Sequence, residues 1–334
     1  MKNRLHRILC LLLCLALIAG LTAGCALSSP VPEEDAAETV QDASILGDSE
    51  TAAPESESLV SVSDMADRDV RLDAYASRIV VLDAADCEIL CAIGAADAIV
   101  GRGEYCDYPS TIVSVPAVQS GSETNVEQII ALTPEVVVMT KMAQDTDQVD
   151  ALEQAGIQVV VTDAQEISDV YTAITLLGAV TGKADEANAL VASMVTAFAT
   201  IQQKATEDGT KTVYFEVSPL EYGLWTAGSG TFMNELALML GLRNEFEDLQ
   251  GWAEVSQEQI IGRSPDYIVT VTSDGGDGSS SVSEIVSREG WDTIDAVKNN
   301  CVFYIDSNIL SRPGPRLVDA ANALYDAIYG QSAQ

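Results

Sequence analysis

Two tyrosines in the segment GEYCDYP, Tyr105 and Tyr108, are candidates for contact with a bound molecule. A phenolate oxygen can ligate ferric iron, including haem iron, whereas a neutral tyrosine can line a binding pocket. Arg312 in SRPGPR could pair with a carboxylate on a ligand, or it could form a salt bridge with one of the protein's own acids. Arg102 and Lys141 are the other positive charges expected near these residues.

Chemistry that depends on histidine is excluded from almost the whole chain. The single histidine is His6, which lies close to the N-terminus. Its position removes Ser-His-Asp triads, Cys-His dyads and histidine-based zinc or manganese sites, so no catalytic residue and no metal site are predicted. Paired carboxylates could still support an extracellular hydrolase, but no acid is set apart by its local sequence. An enzyme is therefore not expected.

The segment AGSGT at 227–231 could cradle an anion on backbone N–H groups, or form a tight turn with Thr231 as a helix N-cap. No Gly-Lys-Ser/Thr follows it, so ATP binding is not predicted.

The composition describes a folded polyanion. The 334 residues include 51 acidic and 17 basic side chains, giving a formal net charge of −34. A surface of that sign repels phosphate backbones, so no nucleic-acid partner is expected. Hydrophobic residues make up 47% of the chain, enough for a sizeable core in one large domain or two ordinary ones.

The N-terminus has the organisation of a secretory signal. Three basic residues precede an apolar run over 8–21, and small residues lead to Cys25. The run is short for a membrane span. We interpret 1–24 as a signal peptide. Its end resembles a bacterial lipobox, which implies lipidation of Cys25, the alternative being an ordinary signal peptide. Residues 25–65, rich in Ala, Ser, Pro and acids, then predict a disordered tether. The protein is expected on the extracytoplasmic face of the cell membrane, lipid-anchored.

The elements that must position the candidate residues alternate along the body of the chain. Continuous Val/Ile runs such as EVVVMT (135–140) are separated by amphipathic stretches, which is typical of βαβ units with parallel sheets. The class predicted is α/β, with two Rossmann-like lobes at 66–182 and 211–334. A long rigid helix at 183–210 joins them, and the ligand cleft lies between them. The echo between NVEQIIALTPEVVVM and SQEQIIGRSPDYIVT places one unit in each lobe.

Four cysteines remain in the body of the chain, and the sequence leaves their state open. They are either buried small hydrophobic residues or partners in disulfides. The four are Cys87, Cys91, Cys106 and Cys301.

Several separated motifs over roughly 70–330 resemble the class III substrate-binding proteins of ABC importers, the iron-siderophore, haem and vitamin B12 family. They are SRIVVLDAADCEILCAIGAADAIVGR, DYP, NVEQIIALTPEVVV, TAGSGTFMNELALMLG, GWAEVSQEQIIGRSPDYIV and RPGPR. The resemblance implies a monomeric, non-enzymatic receptor without a resident cofactor. It would bind a ferric siderophore, haem or cobalamin and deliver it to an ABC permease and its ATPase. A sensor or scaffold on the same fold is the alternative.

The resemblance also assigns roles to four residues. Glu127 and Glu258 match the acids on the lobe surfaces that pair with arginines of the permease, although a glutamate in the first turn of a helix is also favoured by the helix dipole. Trp225 and Trp252 match positions that place aromatic surface in the cleft, and in this sequence they are expected in loops. The alternative for each tryptophan is a place in a domain core.

Overall fold

A computed structural model of the chain describes residues 58–121, 124–143, 146–206, 209–273 and 276–330. The predicted signal peptide, Cys25 and most of the predicted tether lie outside these residues. Among the helices that are described, none combines the length and the apolar character needed to cross a membrane.

The folded body begins before the predicted end of the tether. Strand β1 (Val60–Ser63) pairs antiparallel with β2 (Asp69–Leu72), and the side chain of Val60 is buried. The buried carboxylate of Asp64 accepts a hydrogen bond of 3.0 Å from the backbone N–H of Val161 in the N-terminal lobe. The tether boundary at residue 65 is therefore wrong, because apolar burial and a buried hydrogen bond hold this hairpin against the lobe.

The N-terminal lobe is built on a five-stranded parallel sheet in the order β5-β4-β3-β6-β7. Its central strands are buried on both faces, which explains why their sequences are continuous apolar runs. The strands are β3 (Ile79–Val81), β4 (Ile99–Gly103), β5 (Ala117–Val118), β6 (Val136–Thr140) and β7 (Gln158–Thr162). The α-helices are Ala84–Ala92, Val126–Ala131, Thr146–Gln154 and Ile167–Thr181.

The C-terminal lobe repeats the design with a four-stranded parallel sheet, β10-β8-β12-β13. Two further strands of this lobe, β9 and β11, form a separate antiparallel ribbon. The strands are β8 (Thr212–Glu216), β9 (Leu224–Ala227), β10 (Arg243–Asn244), β11 (Trp252–Val255), β12 (Tyr267–Thr270) and β13 (Val302–Tyr304). The α-helices are Phe232–Met239, Gln257–Arg263, Ser279–Ser287, Asp295–Lys298, Ser307–Leu310 and Leu317–Tyr329.

The connecting helix Ala184–Lys204 lies within the range predicted for it. Its buried residues include Ala187, Met194 and Phe198, which recur at the spacing of one helical face. That face packs against the helices Ile167–Thr181 and Leu317–Tyr329. One continuous hydrophobic cluster consequently includes buried residues of both lobes. A large separation of the lobes would expose this shared core to water, which opposes wide opening.

The sequence echo has a common structural cause in the two lobes. In each copy a short helix ends at a left-handed residue before a proline, at Thr133 (φ 48°) and Ser264 (φ 51°). The acid after each proline then binds the start of the neighbouring strand. The carboxylate of Glu135 accepts the backbone N–H of Ser77 at 2.7 Å, and that of Asp266 accepts the backbone N–H of Thr212 at 2.9 Å. The motif therefore sets the register between two parallel strands.

Candidate functional site

The carboxyl ends of the two sheets face each other across the lobe boundary. Trp252 Nε1 donates a hydrogen bond of 3.1 Å to Oε1 of Gln165, which follows β7. The backbone N–H of Phe232 donates to the carbonyl oxygen of the same Gln165 at 2.7 Å. Ligands of parallel α/β sheets bind outside the carboxyl ends of the strands, so the loops that meet here form the candidate cleft.

Tyr105 and Tyr108 lie in the loop after β4. Their side chains are 74% and 47% exposed, so both rings are accessible. The loop is held from beneath by the buried guanidinium of Arg102, whose Nη1 donates to the carbonyl oxygen of Gly103 and whose Nη2 donates to that of Val113. Arg102 is therefore a structural support of this loop rather than a free cationic contact.

Arg312 lies in an ion-pair cluster that joins the lobes. Its Nη1 donates to Glu88 Oε1 at 3.0 Å and to Asp107 Oδ1 at 2.8 Å. Arg316 Nε donates to Glu88 Oε2 at 2.8 Å, and the Arg316 guanidinium lies 4.0 Å from the ring centroid of Tyr108. The structure thus places Arg312 and Tyr108 in one cluster, and it shows the salt-bridge alternative for Arg312.

The protonation of this cluster is fixed by its geometry. Burial by itself would raise the pKa of Asp107, but the hydrogen bond and charge of Arg312 hold that pKa below its usual value. Burial by itself would lower the pKa of Arg312, but its hydrogen bonds to Asp107 and Glu88 raise it. Both groups are charged near neutral pH. The cluster of Glu88, Asp107, Arg312 and Arg316 therefore balances two positive charges with two negative ones.

The tryptophans lie on strands rather than in the predicted loops. Trp225 is in β9 and Trp252 is in β11. In the antiparallel register Trp252 is opposite Ala227, so the two indoles occupy diagonal positions on one face of the ribbon. Trp225 is 39% exposed and available to a ligand. Trp252 is half-buried against Phe232, with ring centroids 5.5 Å apart, so it also holds the lobe boundary together.

Trp291 and the glycine-containing segment 227–231 have structural roles. Trp291 is fully buried, and its Nε1 donates to Gln257 Oε1 at 3.0 Å. Thr231 is the N-cap of the helix Phe232–Met239, and its hydroxyl accepts the backbone N–H of Asn234 at 3.2 Å. The segment 227–231 therefore has the capped-turn structure, which was one of its two predicted forms.

The two candidate docking glutamates occupy equivalent positions. Glu127 is the second residue of the helix that Asn125 caps, and Glu258 is the second residue of the helix that Ser256 caps. Both side chains are exposed. The pKa of Glu258 is lowered, first by its own backbone N–H and then by the hydroxyl of Ser256. Each lobe thus presents one carboxylate at the start of a capped helix.

The sequence interpretation missed three residues that shape the site, namely Glu88, Asp107 and Gln165. Glu88 could have been found as one of two acids, with Asp86, in a mostly apolar helix, and the structure shows it to be only 3% exposed. Asp107 lies between the two predicted tyrosines. Gln165 carried no signal in the sequence, because its role depends on the other lobe.

The cysteines and a cavity in the C-terminal lobe complete the description of the site. Cys87, Cys91, Cys106 and Cys301 are free thiols rather than disulfide partners. Cys87 and Cys106 are buried, as the first of the two alternatives predicts, whereas Cys91 and Cys301 are partly exposed. Within the described residues, no group of three or more His, Cys, Asp or Glu side chains is arranged to hold a metal ion.

A cavity of about 390 Å³ lies at the carboxyl ends of β8 and β12. Its lining is Pro219, Leu220, Glu221, Thr272, Ser273, Ser280, Ser281 and Glu284.

Comparison with known proteins gives consistent matches over this body. A family model described as periplasmic binding protein matches residues 79–309. The uncharacterized ABC transporter substrate-binding lipoprotein YvrC of Bacillus subtilis is 34% identical over 276 residues, covering 81% of this chain and 85% of YvrC. The vitamin B12-binding protein of Salmonella typhimurium is 27% identical over 257 residues, covering 76% of this chain and 90% of that protein. The crystal structure of a possible iron-binding (periplasmic solute-binding) protein from Staphylococcus epidermidis superposes with a TM-score of 0.68 at 30% identity, covering 77% of this chain and all of that one.

Proposed function

The chain belongs to the periplasmic binding protein family of ABC transporters, and from that premise we propose that it captures an iron chelate or cobalamin and delivers it to a membrane permease. Members of this family bind and hand over a solute and are not enzymes. The lipid anchor at Cys25 is part of the proposal, and the lipoprotein name of the relative YvrC supports it.

The observation that carries the ligand proposal is the set of exposed aromatic rings on the carboxyl-end loops and ribbon. Tyr105, Tyr108 and Trp225 are between 39% and 74% exposed, although large aromatic side chains normally bury their surface. Rings that stay accessible beside a cleft favour a flat or ring-bearing ligand, because they bury a large area with little loss of side-chain entropy. Vitamin B12 is the ligand named for the Salmonella relative.

The equivalent positions of Glu127 and Glu258 support delivery to a permease. One exposed carboxylate at the same place in each lobe would let two basic sites on a partner contact both lobes at once. Because the lobes share one hydrophobic core, such a partner would bind them as a nearly rigid pair.

Ligand binding is tested by titrating the purified full chain with cyanocobalamin, haemin and ferric siderophores while tryptophan fluorescence is measured. We expect saturable quenching by one of them, and a smaller amplitude in Trp225→Phe. Trp291 remains in every variant as a buried emitter whose signal reports an intact fold. Saturable binding with unchanged amplitude in Trp225→Phe would contradict the placement of the ligand beside β9.

Delivery is tested by uptake of the bound chelate in cells that carry Glu127→Arg and Glu258→Arg. We expect each variant to retain ligand affinity and lose uptake. Asp319→Arg is the matched control, because Asp319 is an exposed acid in the first turn of a helix outside the echo. Equal losses in all three variants would indicate a general effect of surface charge and refute the docking role.

A further inference from the structure

The charge balance of the cleft restricts which chelate it can hold, and this inference rests on the proposed function. In the part of the chain that the structure describes, the basic side chains on the loops at the carboxyl ends of the strands already have acidic partners. Lys141 Nζ lies 3.1 Å from Asp163 Oδ2, and Arg312 and Arg316 share Glu88. These guanidinium and ammonium groups are neutralised within the protein itself.

The basic side chains behind the cleft are also engaged. Arg288 donates to both oxygens of the buried Glu216, at 2.7 and 2.9 Å, and it further pairs with Glu284. Arg102 is buried and donates to backbone carbonyl oxygens. A polyanionic ligand would have to displace one of these carboxylates before it could gain a cation. Where the displaced group is Glu88 or Glu216, this leaves a buried carboxylate unpaired, which is unfavourable.

Three acidic side chains on the same surfaces have no basic partner among the described residues. Glu104 follows β4, Glu221 follows β8 and Glu254 lies on β11, and the described residues show no ion pair for any of the three. The chain as a whole carries a net charge of −34. The electrostatic potential at the cleft is therefore negative, and it opposes the approach of an anion.

The groups that the cleft does offer are neutral or negative hydrogen-bonding groups. The cavity of about 390 Å³ at the carboxyl ends of β8 and β12 lies in the C-terminal lobe. It is lined by hydroxyl groups, including those of Thr272 and Ser281, by the carboxylate of Glu221 and by the apolar side chains of Pro219 and Leu220. Hydroxyls both donate and accept, and a carboxylate only accepts, so this lining suits amide N–H and hydroxyl groups. Tyr105 and Trp225 add accessible rings.

We propose that the cleft selects an uncharged or cationic metal chelate with amide or hydroxyl groups at its periphery, and that it rejects polyanionic chelates. Such a ligand can form hydrogen bonds with the hydroxyl groups of the cavity and contact the exposed rings without breaking an ion pair. A chelate bearing several carboxylates or catecholates does neither.

The test uses the full chain and ferric siderophores that differ in net charge. Ferrioxamine B is cationic, ferrichrome is uncharged and ferric enterobactin is trianionic. Cyanocobalamin, which has no carboxylate, and haemin, which has two, form a second pair. We expect at least one uncharged or cationic member to bind about 100-fold more tightly than either anionic member by fluorescence titration. Tightest binding of ferric enterobactin or haemin would overturn the charge inference and leave the proposed function standing. Failure of the whole panel to bind a folded protein would overturn the proposed function itself.

A gain of anion binding provides the second arm. Asp107→Asn removes one of the two carboxylates that balance Arg312 and Arg316, and the Asp107 side chain is 56% exposed, so folding should be retained. We expect affinity for haemin to rise about fivefold, in line with one partly exposed charge pair. Asp326→Asn removes an exposed acid ten residues beyond Arg316 on the same helix, about 15 Å along its axis, and should leave haemin affinity unchanged. An equal change in the two variants, or none in Asp107→Asn, would refute the role assigned to the ion pairs.

Discussion

Replacing Glu88 by glutamine should weaken the junction between the lobes. The Glu88 side chain is 2% exposed and accepts hydrogen bonds from Arg312 at 3.0 Å and from Arg316 at 2.8 Å. Glutamine keeps the volume of the side chain but removes its charge, so two guanidinium groups are left with Asp107 as their only carboxylate in the cluster.

The size of the effect follows from the burial of the partners. Removing one member of a buried ion pair destabilises a protein by about 3–5 kcal/mol. Both arginine side chains retain 15% exposure, and water there offsets part of the loss, so we expect about 3 kcal/mol. For a protein of this size that corresponds to a fall in Tm of about 6 °C.

The assay is chemical denaturation of the full chain followed by far-UV circular dichroism, with Asp295→Asn as the matched control. Asp295 forms an exposed ion pair with Lys298, and such a pair contributes about 0–1 kcal/mol. A double-mutant cycle with Arg312→Ala should give a coupling energy of about 1–3 kcal/mol. A free energy of unfolding for Glu88→Gln within about 0.5 kcal/mol of the parent would refute the reasoning.

Burial, and then the charge of the neighbouring Asp83, raise the pKa of Asp86 well above its usual value. The protonated form of Asp86 is therefore favoured in the folded state, and the free energy of unfolding falls as pH rises from about 4 through that raised pKa. Asp86→Asn should therefore gain stability relative to the parent as pH increases, measured by urea unfolding at several pH values, and a constant difference would contradict this. Gly103→Ala should lower the free energy of unfolding by about 1–3 kcal/mol and weaken ligand binding, because the added Cβ would meet a backbone carbonyl oxygen. The control is Gly262→Ala, whose added Cβ meets no atom within 4 Å and should be neutral or stabilising in thermal unfolding. Phe198→Ala on the connecting helix should cost about 3 kcal/mol and Val195→Ala, 48% exposed, under about 0.5 kcal/mol in the same assay.

The strands and the echo could be predicted because their causes are local. Continuous valine runs identify buried parallel strands, and a proline followed by an acid marks the same strand entry in each lobe. The ribbon of β9 and β11 was missed because each strand has only four residues, too few for a clear alternation of exposed and buried side chains. β1 was missed because it follows directly on an acidic, serine-rich segment.

The ion-pair cluster could not be predicted for a different reason. Glu88 and Arg312 are 224 residues apart, and each has several possible partners in a chain with so many acids. Only the folded arrangement of the lobes decides which acid meets which arginine. The sequence therefore identified Arg312 as a cation in the right loop but left open whether a ligand or the protein itself neutralises it.

The shared core and the ion-pair cluster together determine how this protein can bind. Because buried residues of both lobes and the connecting helix form one hydrophobic cluster, wide opening would expose apolar surface. Affinity must then come from groups already held in place, such as the ribbon that Trp252 fixes to Gln165 and the loop that Arg102 supports. Preorganised groups lose little entropy when a ligand binds. The same rigidity makes the cleft selective by charge, since Arg312 is held by two carboxylates and cannot turn towards an anion without breaking the contact that joins the lobes.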